Sequence, residues 1–213
     1  MVEIYSKIDK TELANMPKVE FTGTIEIIDT VEKADAAIAE LSQYSVVGFD
    51  TETKPSFKRG ITNKVSLLQL ATDKVAYLFR LHLIGITDSI VDFIQNEKIT
   101  KIGISVRDDF QALRKKREVE PKGFVEIQEI AARMGIDDRS LQKIYALLFG
   151  ERISKSQRLS NWELDFLTES QKQYAAIDAW ATLKIYRYLK QIIDEKNFKV
   201  IHRDAEESIA KEG

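Results

Sequence analysis

The chain has 213 residues, 44% of them hydrophobic, and a formal net charge of −2 with a pI near 5.9. That length suits one domain with a sizeable core, and the balanced charge supplies no global positive field for a nucleic acid or membrane surface. Cysteine is absent and histidine occurs only at His82 and His202, which excludes disulfides, thiolate nucleophiles and cysteine-held zinc and leaves oxygen as the main donor for any metal.

The first stretch, "MVEIYSKIDKTELANM", contains acids and no long apolar run, so it reads as neither signal peptide nor membrane span, and a cytoplasmic protein is expected. Residues 1–23 carry mixed charge and Pro17 without firm periodicity, and are expected to be an arm. "TIEIID" (24–29) alternates like a strand, and "TVEKADAAIAELSQY" (30–44) has helical spacing behind a Thr30 cap. "SVVGFDTET" (45–53) is a strand, and the Pro- and Gly-containing "TKPSFKRGI" (53–61) a loop. Two strands follow, "KVSLLQLAT" (64–72) and "KVAYLFRL" (74–81), with a tight turn at Asp73. Next come a helix at 87–96, a strand at 99–106, a helix at 107–119, a strand at 123–127 and a helix beginning at Gln128. "SLQKIYALLFG" (140–150) is a helix stopped by Gly150. "ERISKSQRLSNWELD" is polar and irregular, and residues 168–196 form one long helix or two. Residues 194–213 are expected to be a charged tail.

The order β-α-β-β-β-α-β-α-β-α-α-α implies an α/β fold with a central mixed sheet flanked by helices. In such sheets sites form at the carboxyl ends of strands, and Asp50 and Glu52 lie at one. Strand side chains alternate, so both acids point one way, with Cα atoms about 6.5–7 Å apart. Like charges that close need a cation, a shared proton or open water. Further on, Tyr174 and Asp178 stand four apart in "QYAAIDAWATLKIY" and so share a helix face. Asp178 lies in an apolar run, where a carboxylate is costly unless paired, hydrogen-bonded or metal-bound. In "GISVRDDFQALRK", Asp108 and Asp109 open a helix, a position that favours acids for its own sake.

Asp50-x-Glu52, a mid-chain Asp and Tyr174-x-x-x-Asp178, in that order, resemble the DEDD 3′–5′ exonucleases, and the tyrosine the DEDDy branch. "VVGFDTETKPSFKRGITNKVSLLQLAT" is similar to the first-motif region of the ribonuclease D and Werner-syndrome exonuclease group, and "KSQRLSNWELDFLTESQKQYAAIDAWATLKIYRYL" to its third. The likeness spans roughly residues 24–193, and implies a ribonuclease-H-like exonuclease domain there. In the family pattern "DFQAL" continues the helix after the mid-chain acid, which favours Asp109 over Asp108. The chain ends soon after the third motif, so the helical C-terminal domains of ribonuclease D proper are not expected.

The resemblance implies a nucleic acid with a free 3′ end as substrate, RNA or DNA, and 5′-mononucleotides as products. It implies two divalent ions, Mg²⁺ or Mn²⁺, held by Asp50, Glu52, Asp109 and Asp178, a choice that an all-oxygen donor set suits. Tyr174, with an ordinary pKa near 10, is expected to orient the attacking water. Thr51, Lys58, Arg59, Arg158 and Trp162 are candidate substrate contacts, and further basic residues (Lys54, Lys64, Arg107, Arg114–Arg117, Arg152, Lys155) offer a local positive rim. Phe57 and Trp162 are candidate stacking residues, although core packing is the commoner fate of a tryptophan. Two other functions share these features: a non-catalytic nucleic-acid-binding scaffold of the same fold, and a dinucleotide phosphohydrolase.

Overall fold

The structure, a computed structural model, describes residues 1–56 and 64–203. Phe57, Lys58 and Arg59 lie outside the described residues. In chain order the elements are β1 (Val2–Tyr5), α1 (Lys10–Asn15), β2 (Thr24–Ile28), α2 (Val31–Leu41), β3 (Val46–Thr53), β4 (Val65–Ala71) and β5 (Val75–Phe79). There follow α3 (Leu81–Ile84), α4 (Asp88–Gln95), β6 (Thr100–Gly103), α5 (Val106–Arg114), β7 (Phe124–Glu126), α6 (Ile127–Met134), α7 (Leu141–Phe149), α8 (Glu169–Asp194) and β8 (Phe198–Ile201). The chain divides into two compact units: residues 20–126 with 155–183, and residues 1–19 with 127–154 and the chain from 184 onward.

The first unit is built on a six-stranded sheet in the order β2-β5-β4-β3-β6-β7. Only β4 runs against its neighbours, so the carboxyl ends of β2, β3, β5, β6 and β7 share one edge. Every residue of β4 is buried, as a central strand covered on both faces requires. On one face Phe49, Leu68, Leu70, Tyr77 and Phe79 pack with Ala34, Ile38 and Leu41 of α2 and Ile90, Phe93 and Ile94 of α4. On the other, Leu67 and Leu78 pack with Trp162, Leu167, Tyr174 and Ala175. The expected mixed sheet flanked by helices is what the chain forms.

Gly48 sets how closely α8 lies on β3. A Cβ there would stand 1.9 Å from the carbonyl oxygen of Ala179 and 3.1 Å from Thr182 Oγ1. Only a glycine lets the helix backbone approach so near. Thr182 fixes the contact by donating its hydroxyl to Ile102 O at 2.8 Å on β6. Asp50 and Glu52 follow Gly48 at two-residue steps on the same face, so both side chains rise toward α8.

In the second unit β1 pairs in parallel with β8, Val2 opposite Phe198 and Tyr5 opposite Ile201. Asp138 accepts from Ile8 N at 2.8 Å and from Lys143 Nζ at 2.6 Å. The segments expected as arm and tail therefore contain paired strands and a helix, α1. Only Ile4 of β1 is buried, so the strand carries no alternation to read. Among the described residues no helix is long and apolar enough to cross a membrane.

Other boundaries differ from expectation: the strand read at 74–81 ends at Phe79, and Leu81–Ile84 forms the helix α3. The strand at 99–106 stops at Gly103, because Ser105 adopts a left-handed conformation, φ 58°, that turns the chain into α5. Helix α5 ends at Arg114 rather than 119, where Arg117 leaves the axis to donate to Ile86 O at 2.6 Å and to Asp88.

Candidate active site

Strand β3 and helix α8 supply three carboxylates to one point. One oxygen each from Asp50, Glu52 and Asp178 lies within 4.8 Å of the other two. Asp178 is only 4% exposed, while Asp50 and Glu52 are half-buried. Its Oδ1 is buried without a hydrogen-bond partner, a costly state for a carboxylate oxygen. An acceptor left open beside two more carboxylates fits a hard cation with oxygen ligands.

Asp109 reaches the same region from α5. Its Oδ1 accepts the hydroxyl of Thr51, the residue between the two β3 acids. Asp108, one step round the helix, is exposed. The turn at Ser105 fixes this phase, and the Glu126 carboxylate accepts the freed amide of Val106 at 3.0 Å. Left-handed non-glycine residues cost free energy and gather where a side chain must be aimed; here the aimed side chain is Asp109.

The electrostatics are those of an uncompensated anion cluster. Burial holds Asp50 well above the ordinary carboxylate range, and the charges of Asp109 and Asp178 push it further. Burial, then Asp178 and Asp109, raise Glu52 to about 9. Burial raises Asp109 to about 7 against the Thr51 hydrogen bond, and Asp178 to about 7 against a hydrogen bond from Tyr174. Tyr174 itself is held above its ordinary value of 10, first by burial and then by the Asp178 charge. At neutral pH its phenol keeps its proton.

The other candidate residues fall out differently. Trp162 is fully buried, its ring centroid 6.0 Å from that of Tyr174. It packs behind the tyrosine and offers no face to a base, because Leu67, Leu78, Leu167 and Ala175 close round it. Its indole N–H works against the upward shift of the Glu52 carboxyl without making a hydrogen bond of normal geometry. Thr51 spends its hydroxyl on Asp109 rather than facing open space. Arg158 is exposed, and its charge reaches Glu52. Lys58 and Arg59 lie outside the described residues. Lys54 is engaged in an ion pair with Glu163 at 3.2 Å, and Arg117 in one with Asp88.

Two features escaped sequence reasoning. Gln69 stands opposite Asp50 in the sheet register, fully buried, with neither amide atom hydrogen-bonded. A lone amide in the apolar "SLLQLA" was the available signal. The second is a set of clamps on the loop bearing Trp162. The buried guanidinium of Arg80 donates to Asp165 O at 2.6 Å and to Leu164 O. It also meets His82 Nε2 at 3.1 Å, and His82 Nδ1 lies 3.3 Å from Ser66 O. Ser66 Oγ donates to Glu163 Oε1 at 3.1 Å, and Lys54 Nζ to Glu163 Oε2.

Residues 25–194 match the family model described as 3′-5′ exonuclease. The chain is 31% identical over 208 residues to the bifunctional 3′-5′ exonuclease/ATP-dependent helicase WRN of Mus musculus, covering 93% of this chain and 15% of that protein. It thus spans a small part of that relative's length. Its fold is similar to the EXO domain of Aedes aegypti Nibbler, with a TM-score of 0.73, 22% identity, and coverage of 82% of this chain and 91% of that one. It is also similar to Trypanosoma brucei RNase D in complex with RNA U12, with a TM-score of 0.68, 22% identity, and coverage of 79% and 63%.

Proposed function

Because the chain belongs to the DEDDy-type 3′–5′ exonucleases and is a hydrolase, we propose that it removes 5′-mononucleotides stepwise from the 3′ end of single-stranded RNA or DNA. The observation that carries this reading is the meeting of Asp50, Glu52 and Asp178 within 4.8 Å, with one Asp178 oxygen left unpartnered. The RNA bound by the similar Trypanosoma brucei protein supports a nucleic acid as the substrate class.

Two divalent ions, Mg²⁺ or Mn²⁺, held by Asp50, Glu52, Asp178 and Asp109, would supply charge neutralisation and activation of water for an in-line phosphoryl transfer. The chain's own residues do the rest. Asp50 feels the charges of Asp109, Asp178 and Glu52, so all four carboxylates would share in holding the ions. Tyr174 keeps its proton at neutral pH and is already bonded to Asp178; it therefore orients the attacking water rather than removing its proton. The wall formed by Trp162 behind it fixes the phenol's direction. Arg158, exposed and electrostatically coupled to Glu52, attracts the phosphate of the terminal nucleotide.

The test is a time course on 5′-labelled single-stranded RNA and DNA with Mg²⁺, Mn²⁺, Ca²⁺ or EDTA. Stepwise shortening in Mg²⁺ or Mn²⁺, slowed by a 3′-phosphate and absent in EDTA, is expected. Ca²⁺ should support binding with little cleavage, since its looser coordination misplaces the water. Strands that are bound and left intact in every metal would replace the enzyme with a binding scaffold.

A further inference from the structure

The loop between Ser160 and Thr168 is held on three sides yet projects an aromatic ring into solvent. Trp162 and Leu167 are buried within it, whereas Phe166 is 88% exposed and Leu164 40%. A flexible loop would tuck such a ring away, because burying a phenylalanine side chain is worth roughly 1.5–3 kcal/mol. This loop has no such freedom. Arg80 grips the carbonyls of Leu164 and Asp165, the two residues before Phe166, while Lys54 and Ser66 grip Glu163. A buried cation and the polar network of Lys54, Ser66 and Glu163 thus hold an apolar side chain outward.

The loop also lies along the site. Lys54, its anchor at one end, follows Glu52 by two residues. Arg80, its anchor at the other, follows Phe79, which pairs with Leu68, which pairs with Thr51. Both anchors therefore leave the sheet at the level of the acids, two strand spacings apart, or about 10 Å. We propose that Phe166 is a stacking platform for an unpaired base of the substrate strand, a few nucleotides upstream of the scissile bond. This rests on the exonuclease reading above.

Three points select a base as the occupant. A specific protein partner needs on the order of 1,000 Å² of complementary surface, whereas a base needs one ring face. The neighbouring side chain, Asp165, is exposed and turns phosphates away, so contact falls to the base. Stacking is indifferent to sequence, which suits an enzyme that meets every base in turn. Phe166 also takes the task for which Trp162 is too deeply buried.

The experiment measures binding of 5′-labelled single-stranded RNA and DNA in Ca²⁺, and steady-state cleavage in Mg²⁺ or Mn²⁺, for wild type and three variants. Phe166→Ala and Phe166→Leu should weaken binding and raise KM roughly five-fold or more, and Phe166→Tyr should retain wild-type affinity. Abasic residues are then placed one at a time near the 3′ end. One such position should weaken wild type and leave Phe166→Ala no weaker. Wild-type cleavage accompanied by Phe166→Ala binding within two-fold of wild type on all strands overturns the platform and leaves the exonuclease reading standing. So does a Phe166→Ala defect of equal size at every abasic position, or one explained by altered self-association in sedimentation. A wild-type protein that neither binds nor cleaves any strand instead removes the exonuclease reading, and the platform with it.

Discussion

Replacing Asp178 by Asn tests whether the acids form a functional cluster or a structural one. In the metal-free protein the Asp178 carboxyl titrates at about 7 rather than the ordinary 3.8, chiefly because it is buried. Each pH unit of that gap is worth about 1.4 kcal/mol, so forcing the folded carboxylate to ionise costs about 4 kcal/mol. The sign follows from proton linkage: the folded state binds the proton more tightly, so the group's stabilisation is complete below about pH 4. It is lost as pH rises toward 7 and stays lost above that. Asn carries no charge to desolvate and still meets the Tyr174 hydroxyl. The variant should therefore gain on wild type between about pH 4 and pH 7 in EDTA and then hold a constant lead. For a chain of this size each kcal/mol moves Tm by about 2–4 °C. A lead of about 8 °C or more at pH 8 is expected, and relief of Asp50 and Glu52 from the Asp178 charge adds to it. Thermal melts followed by circular dichroism supply the measurement. Mg²⁺ or Mn²⁺ should raise the wild-type Tm at pH 8 much more than that of the variant, and the variant should lose cleavage. An Asp178→Asn protein less stable than wild type at pH 8 in EDTA, or a gap independent of pH, would refute the reasoning and make Asp178 a structural partner.

Asp109→Ala should cost at least ten-fold more cleavage activity than Asp108→Ala, because only Asp109 faces Thr51 and the other acids; the reverse ranking would put the phase of α5 wrong by one residue. Tyr174→Phe should lower kcat with modest change in KM, as expected for a group that positions water and not the strand; a loss confined to binding would assign the phenol to the substrate. Gly48→Ala places a methyl against the Ala179 carbonyl, so α8 must shift. About 1–3 kcal/mol of stability should be lost in denaturant titration, together with metal affinity, since Asp178 moves away from Asp50.

The carboxylates of the candidate site were legible because their spacing is local. Asp50 and Glu52 share a face through the two-residue period of a strand, and Tyr174 and Asp178 through the turn of a helix; neither needs a tertiary contact to be read. The central sheet was legible for the same reason, from apolar runs such as "SLLQLA". What the fold decided is non-local. The family resemblance favoured Asp109 over Asp108, but that Asp109 is the one that meets Thr51 follows from one left-handed residue, Ser105, which sets the helix phase. Strands β1 and β8 stand at opposite ends of the chain, and each has too few buried side chains to announce itself. Trp162 and Phe166 sit four residues apart in a stretch without periodicity, and composition treats them alike. Their opposite fates follow from Arg80, Lys54 and Ser66, whose grip on the intervening loop turns one ring into the core and leaves the other in water. Sequence periodicity reports which side chains are neighbours along an element; which isolated side chain is buried is settled by groups far away in the chain.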